Sequence, residues 1–409
     1  MDGDRRTPAA AAAAASAASV LDDDNLLREI LLCVAFPTSL VNAALVCKRW
    51  LLLASAPAFL RRFRERNPPR LLGVCVGYPG RYRFVPLPRQ PPELAAPIRR
   101  ATSSCDAAFA RRCPRIKHCR SGRLIIEVFH AGRFDHPLVV PVLAGESSTV
   151  LPLTLLSHAH RNYWERRTQF TELFLPEDGG RDGITLVNLW KDRQKVYAEV
   201  CILRSGRWCV PDMESEIEPP NGTVFLEMLP PVHGKVFMVT NSGYTVGLDL
   251  ATRSLFTLEL PAGVRRNYML SCAEDAGIYL VSADGFQLSV WLHRMSGDDN
   301  DAGWLLLDTF CVHEGHACTP RAEDSWVPPH DVCLDVVAVG DNADFVFLDH
   351  PASGTLFYVH LRSRVVEKVY QRGADECGYK RAAAGHVRVS PVMMIWPPIF
   401  PAQNVGHEE

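Results

Sequence analysis

Four residues with the chemistry of metal ligands lie close together in the first third of the chain: Cys105, Cys113, His118 and Cys119. Thiolates and imidazoles are the ligands that Zn²⁺ prefers in proteins. A structural zinc site takes them at short, regular spacings, and these four residues match no standard zinc finger. We therefore interpret them as separate core or loop residues and predict no metal site here.

A second run, VHEGHAC, brings His313, His316 and Cys318 together. These side chains could also supply metal ligands, but we favour a flexible loop between two sheets. The acidic run SGDDNDAG at residues 296–303 lacks the ligand order and the closing glutamate of a calcium loop. It is typical of a solvated turn.

The common sequence patterns of enzymes are missing. No phosphate-cradling glycine loop, HExxH helix, nucleophile elbow or CxxC pair occurs in the sequence. We therefore predict no catalytic residue, no metal and no cofactor, and we do not expect an enzyme.

The composition is that of a globular protein and gives no sign of nucleic-acid or membrane binding. The 409 residues are 47% hydrophobic and 22% charged, which is ordinary for a soluble globular protein, and the formal net charge is -2. Such a balance gives no electrostatic reason to expect binding to nucleic acid or to an acidic membrane. No apolar run approaches the roughly 18 residues of a membrane span.

Thirteen cysteines without a regular framework indicate a reducing compartment, so we expect a cytoplasmic or nuclear protein. Residues 1–19 are rich in alanine and lack the apolar centre of a secretory signal. We expect them, and residues 403–409, to be tails.

The chain after the first tail begins with a helical segment, residues 20–67. Leu26, Leu27, Ile30 and Leu31 recur at the 3.6-residue period of an amphipathic helix, and three aspartates precede them as cap and first-turn charges. Further helices are expected after Pro37, around Trp50 and from residue 57 on. A module of about 50 residues buries little surface by itself and usually needs a partner.

Three stretches of this segment carry a family resemblance: LLREIL, LVCKRW and PAFLRRF. Together they resemble an F-box, the helical motif that binds the small adaptor protein of SCF-type ubiquitin ligases. The resemblance implies that six apolar residues are divided between the core of the bundle and the adaptor surface. The sequence alone does not divide them: Leu26, Ile30, Leu31, Leu40, Val46 and Trp50.

Short apolar strands separated by turns replace the helical pattern after residue 68. The clearest unit is residues 234–261, with strands predicted at residues 235–240, 244–249 and 254–260. Both faces of its first strand are apolar, so the strand must be covered on both sides. Similar units recur every 40 to 65 residues or so, which is the pattern of a β-propeller.

We predict a mainly β protein, in which the helical bundle is followed by a propeller of about six blades over residues 68–402. Residues 71–76 are expected to complete the last blade near residues 379–401 and so close the ring. An open β-sandwich is the alternative architecture. The order of helical motif and strand units resembles plant F-box proteins with an associated propeller-like domain.

This resemblance implies a non-enzymatic substrate receptor. The helical segment would bind the adaptor protein and, through it, the cullin scaffold, while the propeller would bind a target protein that the sequence does not identify. Two other classes stay open. One is a propeller enzyme with a site at the mouth of its central channel, and the other is an interaction scaffold that leads to no ubiquitination.

Overall fold

A computed structural model describes residues 20–400 except 79–80, 111–113, 131–132, 135–136, 144–146, 153–168, 177–182, 193, 210–214, 221, 274–275, 295–302, 313–332, 374–386 and 399. Both expected tails lie outside the described residues, as do Cys113 and the VHEGHAC residues His313, His316 and Cys318. The chain divides into two compact units. Residues 20–70 and 393–400 are called the helical unit below, and Leu71–Val392 is called the propeller.

Four helices of the helical unit lie wholly within the described residues: α1 (Asp24–Leu32), α2 (Pro37–Ala44), α3 (Lys48–Ser55) and α4 (Pro57–Arg66). Residues 20–22 are also helical. Asp23 caps α1, since its carboxylate accepts hydrogen bonds from the backbone N–H groups of Asn25 and Leu26. Prolines open α2 and α4 at the first helical position, where a missing N–H costs nothing. None of the helices in the described part of the chain is long and apolar enough to cross a membrane.

The core of the helical unit is a single apolar cluster. Its fully buried members come from all four helices and include Leu27, Leu40, Ala54 and Phe63. Trp396 and Phe400, near the other end of the chain, pack against the same cluster. Residues 393–400 therefore belong to the helical unit, and the prediction that they are part of the propeller is corrected.

The propeller has six sheets, and its strands are numbered in chain order. Blade 1 holds β1 (Leu71–Tyr78), β2 (Arg81–Pro86) and β25 (Arg388–Met393). Blade 2 holds β3 (Pro114–Arg120), β4 (Arg123–His130), β5 (Arg133–Phe134), β6 (Leu138–Pro141) and β7 (Thr149–Val150). Blade 3 holds β8 (Gln169–Phe174), β9 (Thr185–Asp192), β10 (Lys195–Arg204), β11 (Arg207–Cys209) and β12 (Ser215–Ile217).

Blades 4 to 6 are four-stranded antiparallel meanders. Blade 4 holds β13 (Phe225–Met228), β14 (Lys235–Thr240), β15 (Tyr244–Asp249) and β16 (Leu255–Glu259). Blade 5 holds β17 (Tyr268–Cys272), β18 (Ile278–Asp284), β19 (Gln287–His293) and β20 (Trp304–Cys311). Blade 6 holds β21 (Asp335–Val339), β22 (Phe345–His350), β23 (Thr355–His360) and β24 (Val365–Gln371). The predicted mainly β fold with about six blades is therefore confirmed.

Neighbouring blades share their apolar cores, as a propeller requires. One buried cluster joins blades 2 and 3, a second blades 3 and 4, a third blades 4 and 5, and a fourth blades 5 and 6. β14 shows the principle, because Val236 and Met238 face blade 3 whereas Phe237 and Val239 face blade 5. This radial packing rules out the open β-sandwich.

Blade 1 closes the ring with strands from distant parts of the chain. β1 pairs with β2 on one side and with β25 on the other. The predicted closure is therefore confirmed, and it removes the sheet edge that an open array would leave. A helix, α5 (Ala95–Phe109), packs on β1 and β2 of this blade.

Helix α5 was not predicted from the sequence. Its buried face consists of Ala101, Cys105 and Ala108, which recur at helical spacing but are too small to give a strong apolar signal. Pro97 falls in the first turn, where its missing N–H has no intrahelical partner in any case.

Candidate functional site

Exposed apolar side chains are concentrated in the helical unit. Seven of the 14 large apolar residues that the described chain exposes lie at residues 20–52. Five of them, on or between α1, α2 and α3, are called the apolar face below: Leu26, Ile30, Leu45, Val46 and Leu52. Their exposed fractions run from 42% for Ile30 to 66% for Val46. A surface of this kind is typical of a protein interaction site.

Helix α1 divides its apolar residues between two faces. Leu27 and Leu31 are buried in the core of the helical unit, at 0% and 1% exposure. Leu26 and Ile30 lie one helical turn apart on the neighbouring face and are exposed. Removing them from water therefore requires contact with something outside the core.

The structure thus separates the six residues that the F-box resemblance assigned jointly to core and surface. Leu31 and Leu40 are core residues, with side chains that are not available to a partner. Leu26, Ile30 and Val46 are on the surface. Trp50 is half-buried and packs against the core cluster with part of its ring accessible.

Arg49 holds two parts of the apolar face next to each other. Its guanidinium donates hydrogen bonds to the Asp24 carboxylate at 2.8 Å and to the backbone carbonyls of Leu21 at 2.8 Å and Asp22 at 2.6 Å. Asp24 is the first residue of α1, and Leu21 and Asp22 lie just before that helix, whereas Arg49 is in the first turn of α3, three residues after Val46. Sequence reasoning missed this role, although an arginine and three aspartates in one small module were a usable signal.

Helix α4 supports α1 through polar contacts as well as the core. Arg62 donates to the carboxylate of Glu29 at 2.7 Å. The Asn67 side chain donates to the carbonyl of Leu32 at 3.1 Å, which satisfies an unpaired group at the end of α1. Helix α1, which carries Leu26 and Ile30 of the apolar face, is therefore held by α4 through these contacts.

The described residues contain no group of three or more His, Cys, Asp or Glu side chains placed to hold a metal ion. Among the first set of candidate ligands, the His118 ring accepts a hydrogen bond from the backbone N–H of Leu175 at 2.9 Å. Burial, with a smaller contribution from Arg120, lowers the pKa of His118 to about 3. The ring is a neutral inter-blade contact.

Of the cysteines in that set, the structure describes Cys105, which is fully buried, and Cys119, which is half-buried. Cys105 on α5 lies with its sulfur 3.7 Å from that of Cys75 on β1, and both are fully buried. The hydrogen bond with Cys105 and burial raise the pKa of the Cys75 thiol, and burial raises the pKa of Cys119. Both thiols are therefore held protonated, and metal binding requires a thiolate.

Charged side chains also meet inside the propeller, between blades 2 and 3. Lys117 Nζ on β3 lies 3.0 Å from Glu172 Oε2 on β8 and 3.7 Å from Glu127 Oε2 on β4. It also donates to the carbonyl of Thr171 at 2.7 Å. The three charged side chains are at most 14% exposed, so this cluster is a paired, buried inter-blade contact.

A family model described as F-box protein AT5G49610-like, beta-propeller matches residues 115–400. The match begins at the second residue of β3 and runs to the end of the described chain. A search of curated proteins gave no match.

Several solved structures match the chain at low identity and with TM-scores below 0.5. The β-propeller domain of Cps50 (Swd1) from Myceliophteria thermophila has 9% identity, covers 62% of this chain and 71% of its own, and gives a TM-score of 0.32. A Nidogen/Laminin complex has 9% identity, coverages of 78% and 98%, and a TM-score of 0.39. A putative 6-phosphogluconolactonase from Bacteroides fragilis has 13% identity, coverages of 64% and 70%, and a TM-score of 0.34. At these values the similarities bear on neither activity nor partner.

Proposed function

The chain belongs to the family described as F-box protein AT5G49610-like, beta-propeller, and on that premise we propose that it is the substrate-recognition subunit of an SCF-type ubiquitin ligase. The helical unit binds the small adaptor protein, which connects the chain to the cullin scaffold. The propeller binds a target protein. The complex works in the cytoplasm or the nucleus.

The observation that carries the proposal is the apolar face. The core of the helical unit is already filled by Leu27, Leu31 and Phe63, so the exposed side chains are not needed to complete it. Fully burying one leucine or isoleucine contributes about 1.5–3 kcal/mol, so covering the exposed half of one contributes roughly 1 kcal/mol. Five such residues on one small unit supply the apolar centre of an interface.

The contribution of the chain to ubiquitin transfer is proximity. Holding a target beside the transferring enzyme raises the effective concentration of its lysines without any bond chemistry by the receptor. In this proposal the buried Lys117 cluster and His118 stabilise the propeller and take no part in a reaction.

Reconstitution tests the proposal. The purified full-length chain is mixed with the adaptor protein and the cullin scaffold and analysed by size-exclusion chromatography. We expect one peak that contains all three proteins. Separate elution of the chain, under conditions in which an established F-box receptor co-elutes, would contradict the proposal.

Target turnover distinguishes the receptor from a scaffold. Proteins captured by the full-length chain are identified by mass spectrometry, and their abundance is compared in cells with and without the chain. A captured protein that accumulates when the chain is removed supports the receptor. Capture and adaptor binding with unchanged abundance of every captured protein favours the scaffold.

A further inference from the structure

The end of the chain contributes an aromatic contact to the helical unit. The ring of Trp396 stacks on that of Phe63 in α4, with centroids 6.0 Å apart and planes inclined by 4°. Phe63 is fully buried and also contacts Phe59, at 6.1 Å between centroids. Phe400 packs against the same cluster. Trp396 and Phe400 therefore complete a core that begins with Leu27 in α1.

Backbone contacts and burial fix the segment that carries Trp396. The N–H of Met394 donates to the carbonyl of Arg70 at 2.9 Å. Met394 and Pro398, on either side of Trp396, are both buried. The ring of Trp396 is consequently presented to Phe63 by a segment that is held at both flanks.

The cluster that includes Trp396 also contains the buried side of the docking helices. Leu27 and Leu31 of α1 lie in it together with Phe59 and Phe63 of α4. Leu26 and Ile30 extend from the next face of the same α1. Any change that loosens α4 against α1 therefore alters the orientation of these two exposed side chains.

We propose that Trp396 is a positioning residue of the adaptor-docking site, which fixes α4 and α1 from the core side. This inference rests on the proposed function of the helical unit. It assigns adaptor binding to both ends of the chain, so residues 20–67 alone are an incomplete docking module. A Trp buries a large apolar area with few rotatable bonds, which suits it to this task.

Full-length variants test this assignment by two measurements. The first is affinity for the purified adaptor protein, and the second is hydrogen exchange of peptides from α1, α4 and the blades. For Trp396→Ala we expect at least roughly tenfold weaker adaptor binding and at least roughly tenfold faster exchange in α1 and α4. Exchange in the blades should stay unchanged.

Two further variants serve as controls. Trp396→Phe retains an aromatic ring and is expected to recover most of the affinity. Ile395→Ala changes the neighbouring residue, which is half-buried and outside the core cluster, and is expected to bind like the wild type. If Trp396→Ala unfolds the helical unit completely, Trp396→Phe decides the question: a small loss of affinity with slightly faster exchange in α1 and α4 supports the inference, and wild-type values of both overturn it.

The possible results separate the inference from the proposed function. If Trp396→Ala binds the adaptor with wild-type affinity, the positioning role is overturned. If exchange in α1 and α4 is nevertheless faster in that variant, Trp396 is only a stabilising residue. A wild-type chain that fails to bind the adaptor overturns the proposed function, and the docking part of the inference with it. In that case hydrogen exchange still tests whether Trp396 fixes α4 and α1. Unchanged exchange of these helices in Trp396→Ala would overturn this claim too.

Discussion

Replacing Lys117 by methionine is expected to destabilise the propeller strongly. The ammonium group of Lys117 lies between the carboxylates of Glu127 in blade 2 and Glu172 in blade 3, at 3.7 and 3.0 Å. The Lys117 side chain is 5% exposed and the Glu127 side chain 8%. Methionine fills a similar volume without the charge, so the variant leaves two buried carboxylates without this cation.

The magnitude follows from the cost of an uncompensated buried charge. Removing one partner of a buried ion pair typically costs about 3–5 kcal/mol. Arg115 stays 3.8 Å from Glu172 but is itself 38% exposed, so it offsets only part of the loss. At roughly 2 °C per kcal/mol for a domain of this size, the melting temperature of the propeller should fall by about 6–10 °C.

An exposed lysine provides the matched control. Lys195 also faces two carboxylates, those of Glu216 at 2.8 Å and Glu218 at 3.9 Å, but it is 39% exposed. Lys195→Met is expected to melt close to the wild type, since solvent screens such pairs. Thermal unfolding is followed by the circular dichroism of the strands. A Lys117→Met variant that melts within about 2 °C of the wild type would refute the reasoning.

Two further predictions concern buried titratable groups in the propeller. The pKa of His118 is lowered to about 3 by burial and by Arg120, so below pH 6.5 the unfolded chain binds a proton that the folded chain does not. Stability should therefore fall by about 2 kcal/mol between pH 7 and pH 5 through this group alone, and His118→Gln should lack that part of the slope in urea unfolding. Cys75 and Cys105 should resist iodoacetamide in the folded protein, because they are buried and the pKa of Cys75 is raised, whereas the exposed Cys33 and Cys47 should react. Peptide mass spectrometry measures the labelling, and equal labelling of all four would contradict the assignment of the first pair to the core.

Local patterns were sufficient to predict most of the fold. β14 and β15 match the predicted strands because each is a run of apolar residues ended by a turn, at Asn241 to Gly243 and after Asp249. The burial of β14 on both faces was also predictable, because Val236 and Phe237 are apolar neighbours and adjacent residues of a strand lie on opposite faces. Such features depend only on residues close together in the chain.

The candidate site was predicted less completely, because its geometry depends on distant contacts. Leu26 and Leu27 are identical in type and adjacent, and only the positions of the other helices make one exposed and the other buried. The stacking of Trp396 on Phe63 joins residues that are far apart in sequence. No local period or composition indicates such a pair.

Helix α5 could not be predicted from the sequence for a different reason. Its buried residues are alanines and one cysteine, so the helical stripe is present but weakly apolar. The sequence draws attention to Cys105 only beside Cys113, His118 and Cys119, and we interpret these four as separate core or loop residues. The structure gives three of these side chains a separate structural contact: Cys75 for Cys105, Leu175 for His118 and the carbonyl of Pro391 for Cys119.

The affinity of the full-length chain for the purified adaptor protein tests the central claim most directly. Isothermal titration calorimetry is carried out on the wild type, Leu26→Asp, Val46→Asp and the control Leu306→Asp. Leu306 lies on β20 of the propeller and is 46% exposed, against 47% for Leu26. We expect both changes in the apolar face to weaken binding at least roughly tenfold and the control to bind like the wild type. Equal affinity of all four proteins, or no binding by the wild type, would contradict the account.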